Sequence, residues 1–141
     1  MKLEDFPDNS YNKYCWMVTP EGIRIGKGCW IGAFTLIDGT GKLTIGKEVT
    51  ISSGAQIITH SGVHRCISER KYNKIDQAPS VIEDHVFVGA NATILMGCKI
   101  GHHSVVGAGS VIPQFSNFPP YSIITGVPGV ITGNSRKFIN D

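Results

Sequence analysis

Five of the 141 residues are histidines, and His60, in the run Ile58-Thr59-His60-Ser61-Gly62, is the one best placed to do chemistry. An imidazole titrates near neutrality, so it can take a proton from an attacking hydroxyl or amine and return it. His60 stands three residues after Ile57, where a regular spacing of apolar residues breaks off. The competing reading is a solvated corner histidine. His85 and His103 lie eighteen residues apart, a spacing that would place them one rung apart on the same corner of an eighteen-residue coil. Zinc would need a third converging ligand, and none is evident, so no metal site is expected. His64 and His102 read as solvated or loop-bonding side chains. Cys15, Cys29, Cys66 and Cys98 are scattered with no CxxC pair and read as reduced thiols.

The scaffold for these groups is written in the spacing. Apolar residues recur every six positions at Ile82, Val88, Ile94, Ile100, Val106, Ile112, Phe118, Ile124 and Val130. The next residue is often Gly (Gly89, Gly101, Gly107), and the residue four after each repeat start is usually small (Ala92, Cys98, Ser104, Ser110, Ser116, Ser122). The same step joins Ile25, Ile31 and Ile37 and, after two extra residues near Asp38-Gly39-Thr40-Gly41, Ile45, Ile51 and Ile57, fifteen repeats in all. A period of six fits no α-helix. Three hexapeptides, each a short strand and a corner, close an eighteen-residue coil. The spacing therefore predicts an all-β solenoid of about five coils over residues 25–132, with aliphatic ladders inside and glycine where a corner is crowded or φ is positive.

From Ile57 to Ile82 the step is 25 residues, which extrudes about nineteen of them as a loop over roughly 61–79. This loop is charged (His64, Arg65, Glu69, Arg70, Lys71, Lys74, Asp76), and a long excursion from a regular scaffold is a common place for binding; a disordered insertion is the alternative. Residues 1–24 lack the period and are expected to cap the first coil, shielding its open sheet edge. Residues 133–141 are expected to form a polar tail.

With 41% hydrophobic and 17% charged residues and a net charge of +2, the chain reads as globular, with no nucleic-acid partner expected. Met1 to Ser10 is polar and carries Glu4, Asp5 and Asp8, so neither a signal peptide nor a membrane anchor is expected, and the default location is cytoplasmic. A chain of this length is one domain whose core is modest unless regularity or oligomerisation extends it.

The hexapeptide pattern resembles that of the left-handed β-helix acetyltransferases over about residues 23–132. The left hand, an exception to right-handed crossovers, comes from the resemblance; spacing alone gives only a solenoid. In sugar and xenobiotic acetyltransferases of this fold a histidine at the end of a strand, just before the protruding loop, is thought to be the general base, and His60 matches that place. The segments Val88-Gly89-Ala90-Asn91-Ala92, Val106-Gly107-Ala108-Gly109-Ser110 and Ile124-Thr125-Gly126-Val127-Pro128-Gly129 look like the family's last coils, along which acetyl-CoA lies in a cleft between subunits. The resemblance thus implies Gly89, Asn91, Gly107, Ala108, Gly126 and Pro128 beside the pantetheine arm, where small residues admit it to main-chain amides, and Arg136 and Lys137 at the coenzyme A phosphates. The same small residues also satisfy corner geometry. Family members often carry a lysine where this chain has Pro113-Gln114.

The runs Leu36 to Gly41, Ile51 to Ile57 and Thr59 to Arg65 are similar to N-acetyltransferases that act on nucleotide-linked 3-amino-3,6-dideoxyhexoses. That similarity implies acetyl-CoA as co-substrate, a dTDP-type amino deoxysugar as acceptor, a part in surface glycan (lipopolysaccharide) biosynthesis, and a homotrimer with its sites at subunit boundaries. On the same resemblance Arg65, with Arg70 or Lys71, holds the diphosphate, and Glu48 or Asp84 orients the sugar. Sugar and polysaccharide O-acetyltransferases share the fold and stay open as the alternative acceptor class. So do a metal protein like the γ-class carbonic anhydrases, which bind zinc on this fold through three histidines, and a scaffold without activity.

Overall fold

Every third short strand of the chain pairs in parallel with the one a rung below it, as the hexapeptide spacing predicts. The computed structural model describes residues 14–139; the acidic start of the chain, with Glu4, Asp5 and Asp8, lies outside the described residues. The first turn is β1 (Trp16–Val18), β2 (Ile23–Ile25) and β3 (Trp30–Ile31), and the second is β4 (Leu36–Asp38), β5 (Leu43–Ile45) and β6 (Thr50–Ile51). The third opens with β7 (Gln56–Ile57), leaves the coil through β8 (His60–Ser61), α1 (Val63–Ile67) and β9 (Asp76–Gln77), and returns as β10 (Ser80–Ile82) and β11 (Phe87–Val88). The fourth is β12 (Thr93–Ile94), β13 (Lys99–Ile100) and β14 (Val105–Val106), and the fifth is β15 (Val111–Ile112), β16 (Asn117–Phe118) and β17 (Ser122–Thr125). A last strand, β18 (Val130–Asn134), folds back antiparallel on β17.

Three sheets result. Sheet I stacks β1, β4, β7, β12 and β15; sheet II stacks β2, β5, β10, β13 and β16; sheet III stacks β3, β6, β11, β14 and β17, with β18 outermost. The register keeps each ladder residue over its predecessor, as in Ile37, Ile57, Ile94 and Ile112 of sheet I, all fully buried. The small residues predicted beside the ladders are buried too, except Ser116, which is half-buried, and several are serines with a task. The hydroxyls of Ser80, Ser104 and Ser110 accept the backbone N–H groups of Cys98, Ser122 and Gly126, each at 3.1 Å, which satisfies donors that a closed corner would otherwise strand.

Glycine's part differs between corners. Gly89 and Gly101 are there because the next rung passes too close for a side chain: a Cβ would meet Ala108 N at 2.5 Å and Pro120 N at 2.4 Å respectively. The left-handed corner positions are instead held largely by larger residues, among them Glu48, His85, Asn91, His103 and Tyr121, with φ between 52° and 63°.

The coil begins earlier than the spacing predicted. β1 pairs with β4 in register, Met17 over Ile37, and Met17 is buried, so residues from Trp16 belong to the solenoid and not to a cap over it. The 3₁₀ turn Pro20–Gly22 adds two residues between Met17 and Ile25 and hides that rung from a six-residue count. Val130, which keeps the six-residue spacing, is 55% exposed and opens the antiparallel strand instead of forming a last rung. The polar segment beyond it forms the end of β18 and a 3₁₀ helix, Ser135–Phe138, pinned by a hydrogen bond from the Ser135 hydroxyl to the His103 carbonyl. Among the described residues no helix is long and apolar enough to cross a membrane.

Because interior side chains are packed between the other two sheets of their own turn and the rungs above and below, a cavity in the middle of a ladder has little room to collapse. Ile94→Ala is expected to cost about 2–5 kcal/mol, whereas Thr93→Ala, one residue away but directed outward, stays within about 0.5 kcal/mol. Urea midpoints of the two variants check this.

Candidate functional site

The edge between sheets I and II carries surplus chain on three successive turns: the Pro20–Gly22 turn, residues 39–42, and the excursion between β7 and β10. Asp38 ends β4 at this edge and is 0% exposed. Its Oδ1 accepts the Thr40 N–H (2.9 Å) and the Thr40 hydroxyl (2.6 Å), and its Oδ2 accepts the Thr59 N–H (2.8 Å) from the rung above. The Thr59 hydroxyl donates to the Asp38 carbonyl (2.9 Å) and accepts the Gly41 N–H (2.8 Å), which ties the two rungs together around the carboxylate.

His60 closes this set. Its Nδ1 lies 2.5 Å from Asp38 Oδ2. Burial is the largest single influence on the Asp38 carboxyl and pushes it up, but the hydrogen bonds from Thr40, Thr59 and His60 together hold it below its ordinary value. Asp38 is therefore an acceptor only, so the His60 Nδ1–H donates to it and Nε2 carries the free lone pair. The His60 side chain is 37% exposed, so that lone pair lies within reach of a ligand. The arrangement is a buried carboxylate that fixes one imidazole tautomer and stabilises the imidazolium formed when Nε2 takes a proton.

The excursion that begins at His60 has its own structure. β8 and β9 pair antiparallel, His60 with Gln77 and Ser61 with Asp76. The Tyr72 hydroxyl donates to Asp76 Oδ1 at 2.8 Å, the His64 and Tyr72 rings stack with centroids 3.7 Å apart, and Arg65 Nε donates to Asn73 Oδ1 at 3.0 Å. Val63 and Ile67 of α1 are exposed.

The other residues singled out in the sequence fall on other edges. Gly89 and Asn91 follow β11, Gly107 and Ala108 follow β14, and Gly126 and Pro128 follow β17, so all six line the edge between sheets III and I on successive turns. Gly109, in the same column, would have no atom within 4 Å of an added Cβ, which leaves a notch there. The width of sheet I separates this column from His60 in one chain. Glu48 and Asp84 lie on the third edge, between sheets II and III. Glu48 Oε2 sits 3.2 Å from His85 Nδ1, and Asp84 Oδ1 accepts the Lys47 N–H at 2.9 Å. Arg136 and Lys137 lie near that edge too, with the Arg136 guanidinium 4.0 Å over the Tyr121 ring and Lys137 Nζ 5.2 Å from the Phe138 ring centroid, away from the small-residue column. Arg65, Arg70 and Lys71 stay with His60 on the excursion.

His85 and His103 do stack one rung apart, centroids 4.8 Å, and Tyr121 continues the column at 5.0 Å. Burial, then the neighbouring His85 and His102, lowers the His103 pKa. Among the described residues no group of three or more His, Cys, Asp or Glu side chains is arranged to hold a metal ion. Asp38 is the functional residue that sequence reasoning passed over. Its signal is a carboxylate directly after ladder residue Ile37, at the edge that carries the insertion and one turn before His60.

A family model described as bacterial transferase hexapeptide (six repeats) matches residues 79–114. The hexapeptide-repeat acetyltransferase VCA0836 of Vibrio cholerae is 30% identical in one crystal structure, with a TM-score of 0.73 over 94% of this chain and 76% of that one. Its complex with acetyl coenzyme A gives 31% identity and a TM-score of 0.78 over 89% of this chain and 67% of that one. The serine acetyltransferase of Mycobacterium tuberculosis is 34% identical over 115 residues, 82% of this chain and 47% of that enzyme. AntD, an N-acyltransferase from Bacillus cereus in complex with dTDP and 3-hydroxybutyryl-CoA, shares the fold at 19% identity, with a TM-score of 0.70 over 94% of this chain and 85% of that one. The chain spans about half the length, or less, of the curated relatives it matches.

Replacing Asp38 by Asn sets an amide against donors that need an acceptor, at a cost of about 1–3 kcal/mol near pH 7. Because the folded carboxyl titrates below its ordinary value of 3.8, the wild-type advantage is complete above that pH and shrinks as the pH falls through the depressed value. Urea unfolding of both proteins between pH 7 and pH 3 should show the gap closing only at the acid end.

Proposed function

The chain belongs to the hexapeptide-repeat acetyltransferases, and from that premise we propose that it transfers an acetyl group from acetyl-CoA to the amino group of a nucleotide-linked, dTDP-type 3-amino deoxysugar. The observation that carries this reading is the Asp38–His60 pair. The acceptor amine gives its proton to His60 Nε2, and the Asp38 carboxylate stabilises the imidazolium. That first proton passes on to solvent; the neutral amine nitrogen then forms the new C–N bond at the thioester carbonyl, His60 takes the second N–H proton as it does so, the C–S bond breaks, and the departing coenzyme A thiolate takes this second proton from His60. An amine needs only this modest base, being the stronger nucleophile once neutral. Such an acceptor suits a cytoplasmic enzyme of surface glycan biosynthesis.

The small-residue column between sheets III and I takes the pantetheine arm, with Gly107, Ala108 and Gly126 presenting main chain to it. One chain holds this column and His60 on opposite sides of sheet I, so a working site needs two chains. The outward residues of sheet I are Trp16, Leu36, Gln56, Thr93 and Val111, all uncharged, and Trp16 is 70% exposed. Three copies that turn this face to a common axis bring the acetyl-CoA edge of one against the His60 edge of the next, and the excursion with its exposed Val63 and Ile67 closes over the neighbour.

His60→Ala is expected to fold normally and to lower turnover about 10²- to 10⁴-fold, and Ala108→Trp blocks the neighbouring column. If the two inactive proteins are mixed and reassociated, activity should return, because some boundaries then pair an intact His60 with an intact column. Absence of recovery, with full activity in a monomer, would overturn the shared site.

The acceptor is tested by comparing kcat/KM for a dTDP-linked 3-amino sugar with that for its 3-hydroxy counterpart at saturating acetyl-CoA. The amino compound should be strongly preferred. Equal rates, or transfer to the hydroxyl compound alone, would move the protein to the sugar O-acetyltransferases that share the fold.

A further inference from the structure

The outer face of sheet II is not flat. A cleft of about 460 Å³ lies toward the edge with sheet III, lined by Thr44, Glu83, Asp84, His85, His102 and His103 among others. A smaller depression of about 240 Å³ lies toward the His60 edge, lined by Glu21, Arg24, Lys42 and Thr44 among others. Thr44 lines both, so the two depressions adjoin there, and together they make an interrupted trough across the sheet.

The lower end of this trough adjoins the Asp38–His60 pair. The Gly41 N–H bonds the Thr59 hydroxyl, the Lys42 carbonyl accepts the Ser80 N–H at 3.1 Å, and His60 leans down onto Asp38 of the same turn as Lys42. Arg24 pairs in register with Thr44, one strand spacing, about 4.8 Å, below it. Neither Arg24 nor Lys42 forms an ion pair among the described residues. With Glu21 beside them, this end still carries an excess positive charge.

The far end has the opposite character. Glu83 Oε1 accepts the His102 N–H at 3.0 Å, and Glu83 Oε2 lies 3.9 Å from Lys99 Nζ. Asp84 uses Oδ1 for the Lys47 N–H and keeps Oδ2 for a hydroxyl donor. His102 and His103 hold their Nδ1 atoms 2.9 Å apart with their rings nearly perpendicular, at 84°; His103 is flanked by His85 and Tyr121 in its column, which leaves His102 as the ring available to a ligand.

From this polarity we infer that the sheet II trough binds the nucleoside diphosphate of the acceptor: phosphates on Arg24 and Lys42, the pentose hydroxyl at Asp84, and the base against His102. The inference rests on the nucleotide-sugar reading above and extends it to residues outside the loop. It sets the reacting sugar, which projects from the phosphate end, at His60. The excursion's Arg65 spends its Nε on Asn73 and keeps its terminal Nη donors, which can meet the outer side of the same diphosphate. Cations complement phosphate oxygens, carboxylates accept sugar hydroxyls, and a planar base stacks on imidazole.

Binding can be read without any acetyl transfer, by calorimetry and amide NMR on the whole chain with dTDP, thymidine and pyrophosphate as probes. The wild type and His60→Ala should bind dTDP alike. Arg24→Gln and Lys42→Gln, both at exposed positions, should each weaken dTDP and pyrophosphate about tenfold or more and leave thymidine unchanged. His102→Ala should weaken dTDP and thymidine by the same factor and spare pyrophosphate. If dTDP binds with this pattern but no amino sugar is acetylated, the trough stands and the N-acetyltransferase reading falls. If amino sugars are acetylated while Arg24→Gln and Lys42→Gln keep wild-type affinity and KM, the trough assignment falls alone. It also falls if the wild type does not bind dTDP at millimolar concentration, or if dTDP shifts amides of the sheet III/sheet I edge instead of sheet II.

Discussion

In-register parallel stacking is the constraint on which everything else here depends. Once Ile57 must sit on Ile37 and Ile94 on Ile57, every corner becomes a column, and a residue's neighbours are settled by which edge it occupies. Strand spacing of about 4.8 Å then decides what each column can hold. Some columns leave no room for a Cβ, as at Gly89 and Gly101. Others stack rings, as in His85, His103 and Tyr121. Contacts reach one rung up or down and seldom farther, so the chain can alter one edge without disturbing the other two.

The edge between sheets I and II uses that freedom. Two extra residues at 39–42 make room for a carboxylate to be buried at the end of β4, and the Thr40 and Thr59 donors meet it there. A buried carboxylate without partners would be costly or would take up a proton; here its partners keep it charged. The same hydrogen bonds that stabilise the corner orient His60, so the one buried acid among the described residues ties the corner together and sets the imidazole through a single set of contacts. The edge then releases the excursion, whose β8–β9 ribbon starts at His60 itself.

Solenoid regularity also sorts the faces. Sheet I presents uncharged residues along its length, sheet II presents Arg24, Thr44, Val81 and Lys99, and sheet III is capped by β18 and partly overlaid by Phe138 and Ile139, which lie beside Phe87 and Val105. A prism of this kind has no deep interior site, because its core is packed with aliphatic ladders. Chemistry must happen where an edge meets something else, either a neighbouring copy or an excursion.

The period of six by itself determined the solenoid, its turn number and the position of the extruded loop, because a side chain that must point inward every sixth residue leaves no other regular packing. It also placed His60 at the loop's base and His103 above His85. It could not show Met17 as a rung, since the Pro20–Gly22 turn puts two extra residues before Ile25, nor the return of β18, since Val130 keeps the period while facing solvent. Above all it could not show that Asp38 reaches His60. Those residues are 22 positions apart, and their contact depends on how an inserted corner folds down against the rung above it. Spacing reports which edge a residue occupies; only the folded corner decides which atoms meet there, because hydrogen bonds are set by distances of tenths of an ångström that no period encodes.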